Sequence, residues 1–286
     1  MSAASAPRRD TRGIVDPAEL LTRVRFRRHA PAPELRPCLE HYWLIDWELT
    51  EPYATHVVPH PSVNVVFQRY GPPNALTEAS AEVAGIGLGL FTQKLAGAGR
   101  VCGVQFRPGG FRPFAPAWPV SAWTGRRVPL AEVFAATGGE EGSDPLSAVL
   151  SPDADHARVA ALDAFLLAHG PAPDPAAEQA MELVELIRSD RALRRVSRLA
   201  AASGLSARSL QRLFAACVGV GPKWVILRYR IHEALERAEA AGTAGAPDWA
   251  ALAAELGYSD QAHLVRDFTA TIGVPPTAYA RGMSAP

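Results

Sequence analysis

The hydrophobic rhythm of the chain changes part-way along. Over roughly the first 135 residues apolar positions alternate with polar ones or cluster in short runs, the period expected of half-buried strands. "HYWLIDWEL" (41–49) alternates, and "HVVPHPSVNVVFQ" and "VCGVQFRPGG" carry β-branched runs broken by Pro and Gly. The turn signals "YGPPN", "AGAGR" and "RPGGF" recur between them, so several short strands are expected, folded as a sandwich or a barrel. The period then lengthens. "DADHARVAALDAFLLAHG" sets Val159, Leu162, Phe165 and Leu166 at helical spacing, and "GPAPDP" (Gly170 to Pro175) interrupts it as a Pro-rich linker. Beyond that the pattern is helical to the end. "AAEQAMELVELIRSD" is amphipathic through Met181, Val184 and Ile187, and a long helix from about Pro222 to Ala240 opens with proline in its first turn and stops at "GTAGAP". The expected organisation is α+β and multidomain: a disordered tail (1–13), a β-rich domain with a helical end (14–170), a linker (171–175) and an all-α domain (176–286).

The helical part contains one plan written twice. Leu199-Ala200 matches Leu252-Ala253 and Gly204 matches Gly257 at an offset of 53; past the glycine the offset is 54, pairing Leu210 with Leu264, Arg212 with Arg266, Phe214 with Phe268, Gly219 with Gly273 and Pro222 with Pro276. Each copy predicts an apolar helix, a turn holding glycine, a polar N-cap and a second helix. Ser206 is the cap of the first copy, and Ser259 or Asp260 that of the second. Leu210, Leu213 and Phe214 then share a face towards the first helix while Arg208, Gln211 and Arg212 point elsewhere, which is the helix-turn-helix plan whose second helix enters the major groove.

Charge sharpens that expectation. The whole chain has a formal net charge of zero, yet Arg191, Arg194, Arg195, Arg198, Arg208, Arg212, Lys223, Arg228 and Arg230 follow one another with no Asp or Glu among them. The stretch before it, 173–190, is acidic. A one-sided basic block is the electrostatic footprint of a polyanion partner. Arginine can bond guanine O6 and N7 in a bidentate manner and glutamine can pair with adenine, so Arg208, Gln211 and Arg212 are the expected base readers of the first copy. Ser206 sits at the helix end that faces phosphates, and the second copy presents Gln261, Ala262, His263 and Arg266, a less charged surface.

The segments "LAAASGLSARSLQRLFAACVGVGPKWVILRYRIHEAL" and "LAAELGYSDQAHLVRDFTATIGVPPTAY" resemble the DNA-binding domain of the AraC/XylS family of bacterial transcription regulators. The resemblance covers roughly the last 100 residues, and it implies two helix-turn-helix units joined by a long helix, reading successive major grooves about one turn apart. It departs from the family at Ala262 and Val265, which offer few hydrogen bonds, and at Asp267, which adds an acid, so the second unit is expected to read weakly or to position. "HYWLIDWEL", "VVPHPSVNVVF" and "GVQFRPGGFRPF" resemble a less characterised class of β-rich domains attached to such regulators, and the family resemblance makes a cupin-like barrel the form such a barrel would take. The implied partners are double-stranded DNA, RNA polymerase as a further candidate, and a small-molecule effector, with the chain a monomer or homodimer.

For the front domain, residue type alone suggests Trp43, Trp47, His60, Asn64, Gln105 and Phe106 as an effector pocket for an aromatic or apolar molecule with polar anchors. Two rivals stand beside it. The domain could serve only oligomerisation or protein contact, or it could carry a catalytic metal, since His56 and His60 lie four apart with His41 nearby. The cupin His-x-His followed by Glu is absent, as are a nucleophile elbow, a phosphate loop and paired carboxylates, so neither enzyme activity nor a cofactor is expected; "GIGLGL" lacks the spacing of a dinucleotide fingerprint. No stretch reaches the ~18 apolar residues of a membrane span. "MSAASAPRRDTRG" has no apolar run of a secretory signal, and Cys38, Cys102 and Cys217 are scattered like reduced packing thiols, so a cytoplasmic protein is expected.

Overall fold

The computed structural model describes residues 13–71, 79–134, 144–190, 193–241 and 247–280. The expected tail up to residue 12, most of the "YGPPN" turn and nearly all of "GTAGAP" lie outside the described residues. A short helix α1 (Pro17–Arg23) leads into strands β1 (Arg25–His29), β2 (Leu39–Val57), β3 (Asn64–Tyr70), β4 (Ala79–Ala84), β5 (Phe91–Phe106) and β6 (Arg127–Pro129). Among the described residues these form one six-stranded antiparallel sheet in the order β1-β2-β5-β3-β4-β6. The described residues of the N-terminal half are thus an antiparallel sheet with helices on it.

Strand alternation gives the sheet two apolar faces. The cross-strand row Tyr42, Val104, Val65 and Val83, and the next row of Leu44, Cys102 and Phe67, point to the main core. There they meet α2 (Leu130–Val133), α3 (Pro145–Leu150) and α4 (Asp155–His169) through Leu130, Val149, Leu150, Leu162 and Leu166. On the other face Trp47, Val66 and Val101 pack with Ile14, Leu20 and Val24 of the α1 region. Helix α4 is also tied to the sheet by charge. Asp46 accepts from Arg100 Nε at 2.6 Å and from Arg158 Nη1 at 3.0 Å, and Arg158 is almost wholly buried.

The helical half consists of α5 (Pro175–Ser189), α6 (Val196–Ser203), α7 (Ala207–Cys217), α8 (Pro222–Ala241), α9 (Trp249–Glu255), α10 (Gln261–Ile272) and α11 (Pro276–Tyr279). Its first part does not stand apart from the sheet. Ala180, Leu183, Val184 and Ile187 of α5, Leu199 of α6, and Leu210, Phe214 and Cys217 of α7 belong to the same contiguous core as Phe106, Phe111 and Trp123. The stretch before α5, expected as a linker, is fastened too: Ala172 N–H donates to Pro113 O at 3.0 Å, and Asp174 caps α5 while lying 3.4 Å from Arg112. The second part, α9 to α11 with the middle of α8, closes its own core around Trp249, Leu252, Leu264, Phe268 and Ile272. No single helix among the described residues is long and apolar enough to cross a membrane. The three cysteines are free and buried, and burial pushes each thiol up to about 11, which keeps them protonated and inert.

Candidate nucleic-acid interface

The two matched stretches fold alike. Helices α6 and α9 each end in a left-handed glycine, Gly204 at φ +69° and Gly257 at φ +76°, a conformation that costs a residue with a Cβ roughly 1–2 kcal/mol. The following helices are capped by side chains: Ser206 Oγ accepts from Ser209 N–H at 3.1 Å, and Asp260 Oδ1 from His263 N–H at 2.7 Å. Of the two caps open in the second copy, Asp260 serves. Leu210 and Phe214 of α7, like Leu264 and Phe268 of α10, are completely buried, and Pro222 and Pro276 begin the helices that follow. The repeat in sequence is therefore a repeat of one local geometry: apolar face inward, second helix half outward.

What faces outward differs. On α7, Arg208, Gln211 and Arg212 are exposed, and among the described residues neither arginine is ion-paired. Ser206 is exposed beside them, but its hydroxyl is engaged with Ser209 N–H and, at 2.9 Å, with Ser209 Oγ. On α10, Gln261, Ala262 and Arg266 are exposed. His263 is half-buried and held by its own helix: Nδ1 lies 3.2 Å from Ser259 Oγ, Nε2 lies 3.6 Å from Asp267, and the ring stands edge-on to Tyr258. The first unit thus offers two free guanidiniums and an amide, the second one guanidinium and an amide.

The basic block divides in the same way. Arg194, Arg195, Arg198, Arg208, Arg212 and Lys223 are exposed, while Arg191 lies outside the described residues. Arg228 is 5% exposed: it lies over Trp224 at 4.4 Å, donates through Nη2 to Leu88 O of the front domain at 3.0 Å, and finds no partner for Nη1 among the described residues. Burial alone pulls its pKa down to about 10. Arg230 is half-buried and donates to Arg194 O, and Arg194 itself donates to carbonyls at the end of α9. These three arginines, indistinguishable from the rest by sequence, are engaged within the protein.

The front domain touches this interface at its back. Thr124 Oγ1 donates to Gly219 O, just beyond α7, at 2.7 Å, and Arg112 Nη1 donates to Ala216 O at 3.4 Å. The 3₁₀ turn Val120–Trp123 packs on α7, and Tyr279 of α11 donates to Val15 O at 2.9 Å. No local pattern marks Thr124, Arg112 or Val15 in the sequence, because their partners lie far along the chain.

The six residues suggested as an effector pocket do not all meet. Trp43 lies across Gly103 and Trp47 across Gly99, so closely that a Cβ on either glycine would come within 1.9 and 2.0 Å of the indole. The tryptophans thus fill the space left by the cross-strand glycines. Trp43 Nε1 donates to Asn64 Oδ1 at 3.4 Å. Phe106 lies on the opposite face, fully buried between Phe111 and Phe114, since β5 alternates and Gln105 takes the other side. His60 and Gln105 do meet. With His41 and Ser62 they line a cavity of about 80 Å³ between the sheet and α5 and α8, closed by Met181, Arg188 and Tyr229. His60 also stacks on the buried His232 of α8, ring centroids 4.1 Å apart. His56, on β2, which ends at Val57, is engaged elsewhere, 3.0 Å from Thr92 Oγ1 on β5, so the spacing of four does not bring it to His60 on a shared strand face. Among the described residues no group of three His, Cys, Asp or Glu side chains is arranged to hold a metal.

Comparison with known proteins matches residues 27–129 to a family described as Domain of unknown function (DUF6597) and residues 199–282 to one described as Helix-turn-helix domain. No curated protein matches the chain. Among solved structures, the chain is similar to ToxT from Vibrio cholerae, at 12% identity and a TM-score of 0.40 over 84% of this chain and 97% of that one. It is similar to wild-type ToxT with bound unsaturated fatty acid at 12% identity and a TM-score of 0.40, over 90% and 100% of the two chains. For ToxT bound to (E)-4-(8-methylnaphthalen-1-yl)but-3-enoic acid the values are 12% and 0.42, over 84% and 98%.

Proposed function

We propose that this chain, whose C-terminal domain is an AraC-type helix-turn-helix domain, is a cytoplasmic transcription regulator that reads a specific DNA sequence through both units and answers to a small molecule through its front domain. The domain type makes it a DNA-binding regulator, and the reading assigns it recognition with no catalytic step. The observation that carries the finer statement is the pair of exposed guanidiniums, Arg208 and Arg212, flanking Gln211 on a capped helix whose other face is fully buried. In this reading Arg208, Gln211 and Arg212 meet base edges, and Gln261, Ala262 and Arg266 make a weaker second contact with His263 held as support. The exposed Arg195, Arg198 and Lys223 meet phosphates.

The seam between the halves supports modulation. The unit with the stronger reading surface shares its core with the sheet, so a ligand that changes the sheet's fit against α5, α7 and α8 changes how that unit is presented. It can do so only by the difference in its affinity for the two arrangements. The His41, His60 and Gln105 cavity, about 80 Å³, is small beside the ~300–1,000 Å³ of drug-sized sites. A ligand larger than a small ion or a few waters would therefore part the sheet from α5.

The test is affinity selection of random duplexes by the purified protein, with the winner titrated at two salt concentrations. The reading expects a bipartite motif with half-sites about one turn apart and an affinity that falls steeply with salt. A protein that enriches no sequence, with or without candidate effectors, overturns it.

A further inference from the structure

The relative placement of the two reading helices needs its own explanation, because the two units do not pack on each other. Among the described residues α9 packs on α10, and α10 on α8, whereas α6 and α7 pack on neither α9 nor α10 beyond marginal contact. A cleft of about 350 Å³ lies between the end of α5, the middle of α8 and the end of α9, lined by Leu193, Ile226, Arg230, Glu255 and Leu256 among others. Two arginines join the residues before α6 to the end of α9. Arg194, the second residue before α6, donates through Nη1 to Ala254 O at 3.3 Å and through Nη2 to Glu255 O, the carbonyls at the C-terminal end of α9. A cation there suits the negative end of the helix, where Ala254 O also accepts from Gly257 N–H at 3.1 Å. Arg230 of α8 donates through Nη2 to the main-chain oxygen of Arg194 and lays its guanidinium 5.6 Å from the ring centroid of Tyr258.

The receiving side is shaped for this contact. Gly257 sits between the bonded carbonyls and Tyr258, and a Cβ there would lie 2.2 Å from Arg194 Cδ and 2.9 Å from its Nε. The corresponding glycine of the first unit, Gly204, has nothing within 4 Å of such a Cβ. Both glycines take the left-handed turn, but only Gly257 also makes room for a side chain of the other unit. Gly257 and Tyr258 form the turn that sets the direction of α10, and Tyr258 is itself buried.

We propose that Arg194 and Arg230 are positioning residues for DNA reading: by fixing the start of α6 to the turn before α10, they set the spacing and rotation at which the two recognition helices meet their half-sites. This rests on the reading of the chain as a two-unit DNA binder. Neither residue touches bases in this assignment, although both lie in the basic block. What they determine is which half-site spacing the protein accepts.

The experiment uses the full-length protein and the bipartite duplex it selects, in a series with the half-site separation lengthened or shortened by one and two base pairs. Each base pair rotates the second half-site by about 35°. Wild-type protein is expected to lose at least about tenfold in affinity at a change of two, as expected when both units can no longer engage together. Arg194→Ala and Arg230→Gln are expected to bind the optimal duplex more weakly and to flatten the profile to about twofold, with the base preference inside each half-site unchanged. Arg195→Ala, which removes the neighbouring charge, keeps the sharp profile whatever it does to overall affinity. If the Arg194 and Arg230 variants keep the wild-type spacing optimum, the proposal is wrong while the two-unit reading stands. If wild-type protein shows no preferred spacing, both fail.

Discussion

The first helix-turn-helix unit is walled in where the second is open. Leu199, Leu210, Phe214 and Cys217 belong to a core that continues through α5 into the sheet, whereas Leu252, Leu264, Phe268 and Ile272 close on α8 and α11, with Val15, Val58 and Leu90 as the front domain's share. The two units follow one sequence plan, so the plan cannot be what separates them. The difference comes from what each unit's far side meets. The unit carrying the exposed guanidiniums is the one whose core runs on into the sheet, so a change in the sheet is felt first by the stronger reader.

The largest effects will show whether that joining is real. Phe214→Ala and Phe268→Ala remove the same ring from matched, fully buried positions, and each is expected to cost about 3–5 kcal/mol. Hydrogen exchange should separate them: Phe214→Ala lowers protection in β2 and β5 as well as in α7, and Phe268→Ala lowers it in α8 to α11 and around Val15 and Val58 but leaves the middle of β2 and β5 unchanged. Equal behaviour of the strands in both variants would break the comparison. Next comes reading itself. Arg212→Ala is expected to weaken binding to the selected duplex by about 1–3 kcal/mol and to relax preference at one base pair, with Arg266→Ala costing less; fluorescence anisotropy on single-base variants checks both. A uniform loss across sequences would make Arg212 a phosphate contact instead.

Smaller effects sharpen the comparison at the turns. Gly204→Ala should cost about 1–2 kcal/mol, the strain of a left-handed turn in open space. Gly257→Ala should cost more by urea denaturation, because the new methyl also displaces Arg194. Smallest are the caps. Ser206→Ala and Asp260→Ala are each expected to cost about 1 kcal/mol, the aspartate somewhat more at low salt because it also carries charge at a helix N-terminus. That excess should fade as salt is added.

The duplicated plan was legible because the features that write it are local. Leucine and phenylalanine spacing, a glycine turn, a capping residue and a proline at the first turn are all fixed by helix geometry within about 25 residues, and each holds at both Gly204 and Gly257. What could not be read were features set by distant pairing. The order that places β5 between β2 and β3 depends on contacts sixty residues apart, as in Trp43 opposite Gly103. For the same reason Trp43 and Trp47 suggested a pocket from their type, while the structure lays them across glycines. Charge misled in one respect. Arg194, Arg228 and Arg230 look like their neighbours in the basic block, and only the fold turns them onto Glu255, Leu88 and the main chain of Arg194. Ser206, suggested as a DNA contact, has its hydroxyl engaged in the cap.

The central claim is that both units read DNA, unequally, with α7 dominant. Hydroxyl-radical footprinting of the selected duplex by wild-type, Arg212→Ala and Arg266→Ala proteins tests it most directly. Two protected windows about one helical turn apart are predicted for wild type. Arg212→Ala should weaken both windows, and Arg266→Ala should fade only the second. A single window for wild-type protein, or a second window untouched by Arg266→Ala and lost alone in Arg212→Ala, would contradict it.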